Sequence, residues 1–189
     1  MTMNIQLRPG VASDAAAIHN LISANLSVGH LLPRTFEDVE SHADRFVVAI
    51  ADDTVIGCAE LAPLSSEVAE VRSLVVAEAM RGQRTGVALV TALADRAREL
   101  GYVTLCAFTH QPAHFVRLGF SIVPHVWVPE KIAHDCVGCS QFRQCGQYAV
   151  SLPLRAGAGL RLEQTAPPAR AISGPRASVE RLRLLPITA

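Results

Sequence analysis

Apolar positions along the chain switch between short continuous runs and a spacing of three and four, which is how strands and helices alternate in sequence. Residues 4–7 read as a first strand, interrupted by Pro9-Gly10. Ser13 or Asp14 then caps a helix whose face is Ile18, Leu21, Ile22 and Leu26. After a loop over 29–34, residues 35–39 (TFEDV) read as a short capped helix. Residues 45–51 and 54–61 form a hairpin about Asp52-Asp53, a good turn pair without its preferred glycine. In 69–101 a strand carrying Val71, Leu74, Val75 and Val76 leads into a helix. There Val90, Leu93, Ala97 and Leu100 recur at steps of three, four and three, with Asp95, Arg96, Arg98 and Glu99 opposite. Gly101 stands where a left-handed C-terminal cap belongs. A strand over 103–108, a short helix over 112–118, a strand over 120–123 and a last strand over 147–154 complete the body. The predicted class is α/β, with a mixed, mostly antiparallel twisted sheet flanked by about four helices.

Between the central strand and helix lies Arg81-Gly82-Gln83-Arg84-Thr85-Gly86, a turn rich in backbone donors and positive charge. Free N–H groups at a helix start bind anions, and small glycines let the chain approach a phosphate closely. The same glycines also serve a tight strand-to-helix corner with no ligand. No Gly-Lys-Ser/Thr follows, which excludes the lysine-bearing loop of nucleotide hydrolases. The spaced glycines of a dinucleotide fingerprint are missing as well.

Composition narrows the classes further. The chain has 189 residues, half of them apolar, enough for one domain with its own core. Formal charge is zero, so no global field points to nucleic acid or to an anionic membrane. No apolar run approaches membrane-spanning length, and MTMNIQLRPG lacks the core of a signal peptide. Five cysteines without such a signal fit a reducing, cytoplasmic setting. The charge is unevenly spread: residues 155–189 carry six arginines and two glutamates, hence +4, and residues 1–154 carry −4. The expected organisation is a domain over 1–154 and a flexible tail rich in Ala, Pro and Arg over 155–189. Leu182, Leu184 and Leu185 are the only tail positions that look able to dock.

The basic turn resembles the acetyl-coenzyme A loop of the GNAT superfamily of N-acetyltransferases, Gln/Arg-x-x-Gly-x-Gly/Ala. Gln83-x-x-Gly86-x-Ala88 fits outright, and a register starting at Arg81 puts Arg84 where the middle glycine usually stands. Leu74-Val75-Val76 before the turn and Phe115-Val116-Arg117-Leu118-Gly119-Phe120 after it sit where that superfamily carries its marker segments. Three further pieces resemble the N-acetylglutamate synthases, in the short form without an amino-acid-kinase domain. They are Gly29-His30-Leu31-Leu32-Pro33-Arg34-Thr35, then Val55-Ile56-Gly57-Cys58-Ala59 leading to Glu70-Val71-Arg72-Ser73-Leu74, and Val128-Pro129-Glu130-Lys131. The likeness spans roughly residues 3–154.

The resemblance implies a GNAT fold and an acetyl-coenzyme A:amino-acid N-acetyltransferase, with L-glutamate as acceptor at the entry to arginine synthesis. It also implies a splayed fourth strand whose backbone at Leu74 and Val76 pairs with pantetheine, and a pyrophosphate held by Arg81, Gly82, Gln83, Arg84, Thr85 and Gly86. Strand alternation puts Glu70, Arg72 and Leu74 on one face, making Glu70 the first candidate base and Glu60 the second. An ion pair with Arg72 is the competing role for Glu70. Arginine grips carboxylate with two prongs, so Arg34 and Arg143, with Arg72 as a third, are the candidates for holding a dicarboxylic amino acid. Where many relatives place Phe-Tyr, this chain has His114-Phe115, so no phenol is present to protonate a thiolate. His110 and His114 are candidates for proton transfer or for packing.

Cys136, Cys139 and Cys145, with His134, have the donor types for zinc or for a redox pair, and plain reduced loop thiols are the leading reading. Cys58 and Cys106 lie in apolar strands and read as packing residues. Two other functions stay open: a GNAT enzyme for another amine, such as a protein N-terminus or a drug, and a non-catalytic acyl-CoA or metal sensor. The expected partner is a small amino acid, with no nucleic acid and no membrane, and a homodimer is a candidate assembly. A chain stopped after Leu154 is expected to stay folded and active, since the tail has no regular apolar pattern. Loss of the cooperative melt on truncation would show that the tail leucines dock on the body.

Overall fold

The computed structural model describes residues 4–26 and 31–155. The expectations for Gly29-His30 and for the tail beyond Arg155, its leucines included, fall outside those residues. Seven strands form one sheet: β1 (Gln6–Pro9), β2 (Phe46–Ala51), β3 (Thr54–Pro63), β4 (Val68–Val76), β5 (Thr104–Thr109), β6 (Ser121–Val123) and β7 (Tyr148–Pro153). Their order is β1-β2-β3-β4-β5-β7-β6, antiparallel everywhere except between β4 and β5. The helices are α1 (Ala15–Ala24), α2 (Phe36–Ser41), α3 (Thr85–Glu99), α4 (Pro112–Val116) and α5 (Pro129–Lys131), the last running on as a π-helical turn over Ile132–Cys136. The sequence pattern left out α5 because the stretch around it carries no apolar period.

Both faces of the central sheet are covered, so β2 reads as a continuous apolar run rather than an alternation. Val47, Ala49 and Ala51 pack with Leu89, Val90, Leu93 and Ala97 of α3, whereas Phe46 and Val48 pack with Ile18 and Ile22 of α1 and Val39 of α2. Asp52 and Asp53 both adopt positive φ, 46° and 58°, as a two-residue hairpin of this hand demands. Thr35 caps α2, its hydroxyl accepting from the Asp38 amide at 3.1 Å. Gly101, with φ 86°, closes α3: its amide bonds the Arg98 carbonyl and that of Tyr102 bonds the Ala97 carbonyl, both at 3.0 Å.

Two local expectations are corrected. Leu100 is 61% exposed, because the helix ends at Glu99 and the last apolar step carries Leu100 past the core. Asp14 does not cap α1 through its side chain. It turns back, accepting from the Val11 amide at 2.9 Å and from both prongs of Arg8 at 2.6 and 2.8 Å. This clasp ties β1 to the start of α1. The hydrogen bond from Arg8 is the chief reason the Asp14 carboxyl lies below its ordinary value, outweighing the opposing effect of burial.

A carboxyl depressed in the folded state stabilises the fold above its unfolded value of 3.8 and loses that contribution as pH falls through the folded value. Asp14→Asn should therefore cost about 1 kcal/mol at pH 7, a figure reduced for the exposure of Arg8. In urea denaturation the gap to the parent should narrow as pH drops below 3.8. A gap constant with pH would show that the clasp does not act through the charge of Asp14.

Candidate functional site

The parallel pairing of β4 with β5 covers only Val68–Glu70 against Thr104–Cys106, so the two strands part company beyond Glu70. The opening between them is a cleft of about 940 Å³. Its walls include the β4 edge from Val71 to Val76, the turn before α3, the start of α4, and the helix that begins at Pro129. The splayed fourth strand expected from the sequence is thus present.

A bulge sets which β4 side chains face which way. Glu60 pairs with Arg72 and Cys58 with Val75, so two residues of β4, Ser73 and Leu74, oppose the single Ala59 of β3. Ser73 takes the extra step with φ 48°. Beyond it the alternation is reversed: Ala69 and Val71 before it, and Leu74 and Val76 after it, pack on the α3 side, while Val75 packs on the α1 side. The expectation that Leu74 shares a face with Glu70 and Arg72 is therefore corrected. A strict period of two does not survive an inserted residue.

At one end of the cleft, the α3 N-terminus presents the backbone of Thr85 and Gly86. The first N–H groups of a helix have no partner within it and favour negative charge. Gly82 has φ 81° and open space around it. Arg84 precedes the helix with φ 63°, a left-handed conformation that glycine adopts without cost. That favours the register beginning at Arg81, in which Arg84 occupies the glycine position. Arg81, Gly82, Arg84, Thr85 and Gly86 line the cleft together with Leu74 and Val76, but Gln83 does not. Gln83 turns instead toward the Met80 sulfur at 3.9 Å. Arg81 is already fixed: its Nη2 donates to Asn25 Oδ1 at 2.7 Å and its Nε to the Val76 carbonyl at 3.3 Å. Two buried polar atoms on this wall, Thr85 Oγ1 and His114 Nε2, have no hydrogen-bond partner among the described residues. The ring of His114 lies 3.6 Å from where a Cβ on Gly86 would stand. Burial first, then the charge of Arg117, push His114 below the ordinary imidazole range. A cradle of backbone donors with orphaned polar atoms beside it fits a phosphate-bearing ligand.

The other end is a network of charge. Arg34 Nη1 donates to Glu60 at 2.6 Å and to Ser73 Oγ at 3.4 Å, and its Nε donates to Asp38. Arg72 Nε donates to Glu70 at 2.6 Å, and its Nη2 to Asp135. Lys131 reaches both Glu70 oxygens, at 2.7 and 2.8 Å, and Asp135 at 2.8 Å. Glu60 and Glu70 are almost wholly buried, and a buried carboxylate needs such partners. For Asp135 the largest influence is burial, which raises it. Hydrogen bonds from Lys131 and His134, with the charges of Lys131 and Arg72, outweigh that and hold it below the usual carboxylate range.

Of the two candidate bases, Glu70 lines the cleft and Glu60 lies behind Arg34. Arg34 and Arg72 line it too, whereas Arg143 is exposed in a short turn and does not. Lys131 and Asp135 were passed over by sequence reasoning. Their signal is a Val128-Pro129 helix start followed by a cation and an acid four residues apart.

Of the cysteines, Cys139 lines the cleft, but none takes part in the charged network. Among the described residues no three His, Cys, Asp or Glu side chains are placed to hold a metal ion, so the cluster with His134 is not assembled as a zinc site. His134 instead pairs with Asp135 at 2.9 Å. All five thiols are free, and burial, chiefly, raises the Cys136 thiol, which disfavours the thiolate a metal or a disulfide exchange needs. Cys58 and Cys106 are fully buried; burial pushes Cys58 up to about 12 and Cys106 higher still. Among the described residues no helix is long and apolar enough to cross a membrane.

A family model, the acetyltransferase (GNAT) family, matches residues 15–120. An uncharacterised N-acetyltransferase of Chlorobaculum tepidum is 30% identical over 73% of this chain and 89% of its own length. The amino-acid acetyltransferase of Shewanella oneidensis is 34% identical over 67% of this chain, which spans only 29% of that protein. Among solved structures, a Mycobacterium tuberculosis protein in complex with CoA superposes with a TM-score of 0.68 at 26% identity, covering 79% of this chain and 99% of the other. The N-acetylglutamate synthase of Neisseria gonorrhoeae, complexed with coenzyme A and N-acetyl-glutamate, gives a TM-score of 0.71 at 23% identity, covering 82% of this chain and 36% of that one.

Gly86→Glu should abolish acetyl-coenzyme A binding in calorimetry, because a carboxylate at the helix start fills and repels the anion position. Gly86→Ala is the folding control, since a Cβ there meets His114 and Val76 only at 3.6 to 3.8 Å, ordinary contact. Unchanged binding by the glutamate variant would move the cradle elsewhere.

Proposed function

The chain belongs to the GNAT acetyltransferase family, and from that premise we propose that it transfers the acetyl group of acetyl-coenzyme A to the α-amine of L-glutamate. The observation that carries this reading is a single cleft whose two ends differ in kind. One is an anion cradle at the α3 N-terminus, and the other is lined by the side chains of Arg34, Arg72 and Lys131. The first suits the phosphates of a coenzyme and the second the carboxylates of a dicarboxylic amino acid. The named activity of the Shewanella relative and the ligands of the Neisseria structure point the same way.

Acetyl-coenzyme A, when bound, supplies an activated acyl group as a thioester. Backbone groups at Leu74 and Val76 line its path, and the turn 81–86 with Thr85 and Gly86 faces its phosphates. The acceptor must reach the site with its amine neutral, because an ammonium has no lone pair to attack with. Glu70 is the proposed acceptor of that proton, directly or through water, since it lines the cleft where Glu60 does not. Arg72 and Lys131 hold the Glu70 carboxylate still, and Arg34 is positioned by Glu60 and Asp38. Holding acceptor and donor in one orientation supplies much of the acceleration such a transfer needs.

Thiol release on a panel of amines tests the reading. Glutamate should be among the best acceptors, and glutamine, lacking one carboxylate, a poorer one. Turnover of protein N-terminal peptides with glutamate hardly used would replace this reading with a protein-acetylating one. Within it, Arg34→Lys should raise the KM for glutamate by about 10-fold and leave that for acetyl-coenzyme A unchanged, because a point charge cannot reproduce the fork. Arg34→Ala should in addition lose about 3 kcal/mol of stability, since it strips the buried Glu60 of its cation. Equal rises in both Michaelis constants would remove Arg34 from the acceptor site.

A further inference from the structure

We propose that Asp135 is an internal stand-in for a carboxylate of the acceptor: it holds Arg72 and Lys131 in the empty cleft and is displaced from them when a dicarboxylic amino acid binds. The inference rests on the acceptor reading above and adds to it the residue that the substrate must compete with.

The charges at this end of the cleft leave no free cation among the described side chains named there. Arg34, Arg72 and Lys131 face Asp38, Glu60, Glu70 and Asp135, three positive groups against four negative ones. A dianionic amino acid entering such a site meets cations that are already satisfied, so one internal carboxylate must give way. Glu60 and Glu70 are fixed in the interior of strands β3 and β4, 1% and 2% exposed. Asp38 sits on α2 beside Arg34 and does not line the cleft. Asp135 does line it, and its side chain is 28% exposed.

Its position in the chain favours release. Asp135 lies in the π-helical turn Ile132–Cys136, an uncommon conformation that follows only three residues of α-helix. The neighbouring Val137 is 78% exposed, and a Cβ placed on Gly138 would meet nothing within 4 Å. Lys131, by contrast, is anchored: it is buried, holds both oxygens of Glu70, and lies 5.3 Å from the centre of the Phe108 ring. When Asp135 leaves, Arg72 and Lys131 keep their bonds to Glu70 and each regains a donor aimed into the cleft. A carboxylate of the substrate has the same shape and charge as the group it replaces, so the exchange conserves charge-assisted hydrogen bonds. What decides affinity is the cost of moving Asp135. His134, paired with Asp135 through Nδ1 and itself exposed, gives the released carboxylate a partner that can travel with it.

Steady-state kinetics on the full chain test this. Asp135→Asn keeps the shape and removes the competing charge, so the KM for glutamate should fall by about 3- to 10-fold, with the KM for acetyl-coenzyme A unchanged. In the parent protein, saturating glutamate with coenzyme A should speed amide hydrogen exchange over residues 131–138, a readout that needs no variant and stands if Asp135→Asn does not fold. Parent turnover of glutamate with an unchanged or raised KM in the variant overturns the proposal, because Asp135 then helps rather than opposes binding. Exchange unchanged or slowed by glutamate overturns it as well. A parent that uses no dicarboxylic amino acid overturns the acceptor reading, and this proposal with it.

Discussion

The sheet stops being a sheet at Glu70. Up to that residue β4 and β5 pair in parallel, and beyond it β4 keeps its ladder with β3 while its other edge turns to an opening. A sheet interior does not give up backbone hydrogen bonds without a reason, since each unpaired N–H or C=O away from water is costly. Here the opening coincides with the cleft, where solvent or a ligand of extended shape can supply the missing partners. The position of α3, the length of the cleft and the burial of Glu70 at its apex all follow from where that pairing ends.

Burying carboxylates at such a branch point is expensive, and the network around them is the response. Glu60 and Glu70 stand on neighbouring strands and face the same side, so each requires a cation of its own. Arg34 reaches Glu60 from the segment before α2, and Lys131 reaches Glu70 from α5, elements separated by almost a hundred residues. The charged pairs therefore close the fold around this end of the cleft as well as furnish it. That dual duty explains why the arginines cannot be treated as loose forks awaiting substrate: each enters the site already bound.

Sequence and structure agree best where the signal is local and repeats. The strands, the α3 face from Val90 to Ala97, the Thr35 cap and the Gly101 stop were all legible, because burial on a fixed period leaves a plain trace. The basic turn was legible as a strand-to-helix corner, and five of its six residues line the cleft. What escaped was of two sorts. Asp14, with Ser13 one of two cap candidates, is a clasp instead, and a cap acid and a clasp acid look alike until the position of Arg8 is known. Lys131 and Asp135 had no visible role because their partners, Glu70 and Arg72, lie about sixty residues away in sequence. Arg143 is the opposite case: its residue type fits a carboxylate fork, but its short turn leaves it exposed outside the cleft.

The bulge at Ser73 joins these threads. Without an extra residue, the alternation of β4 would carry Glu70, Arg72 and Leu74 along one face, and the apolar Leu74 would follow the two charges. The left-handed step at Ser73 costs roughly 1 kcal/mol for a residue with a side chain, and it reverses the phase of everything after it. Leu74 and Val76 are returned to the α3 side, and the strand that begins by carrying charge ends by carrying an apolar wall toward the α3 N-terminus. One residue out of register thus divides β4 into a charged half and an apolar half along the same cleft. Strain held at such a junction, together with the left-handed Arg84 at the start of α3, marks the two places where the chain departs from its preferred conformation to shape the cleft.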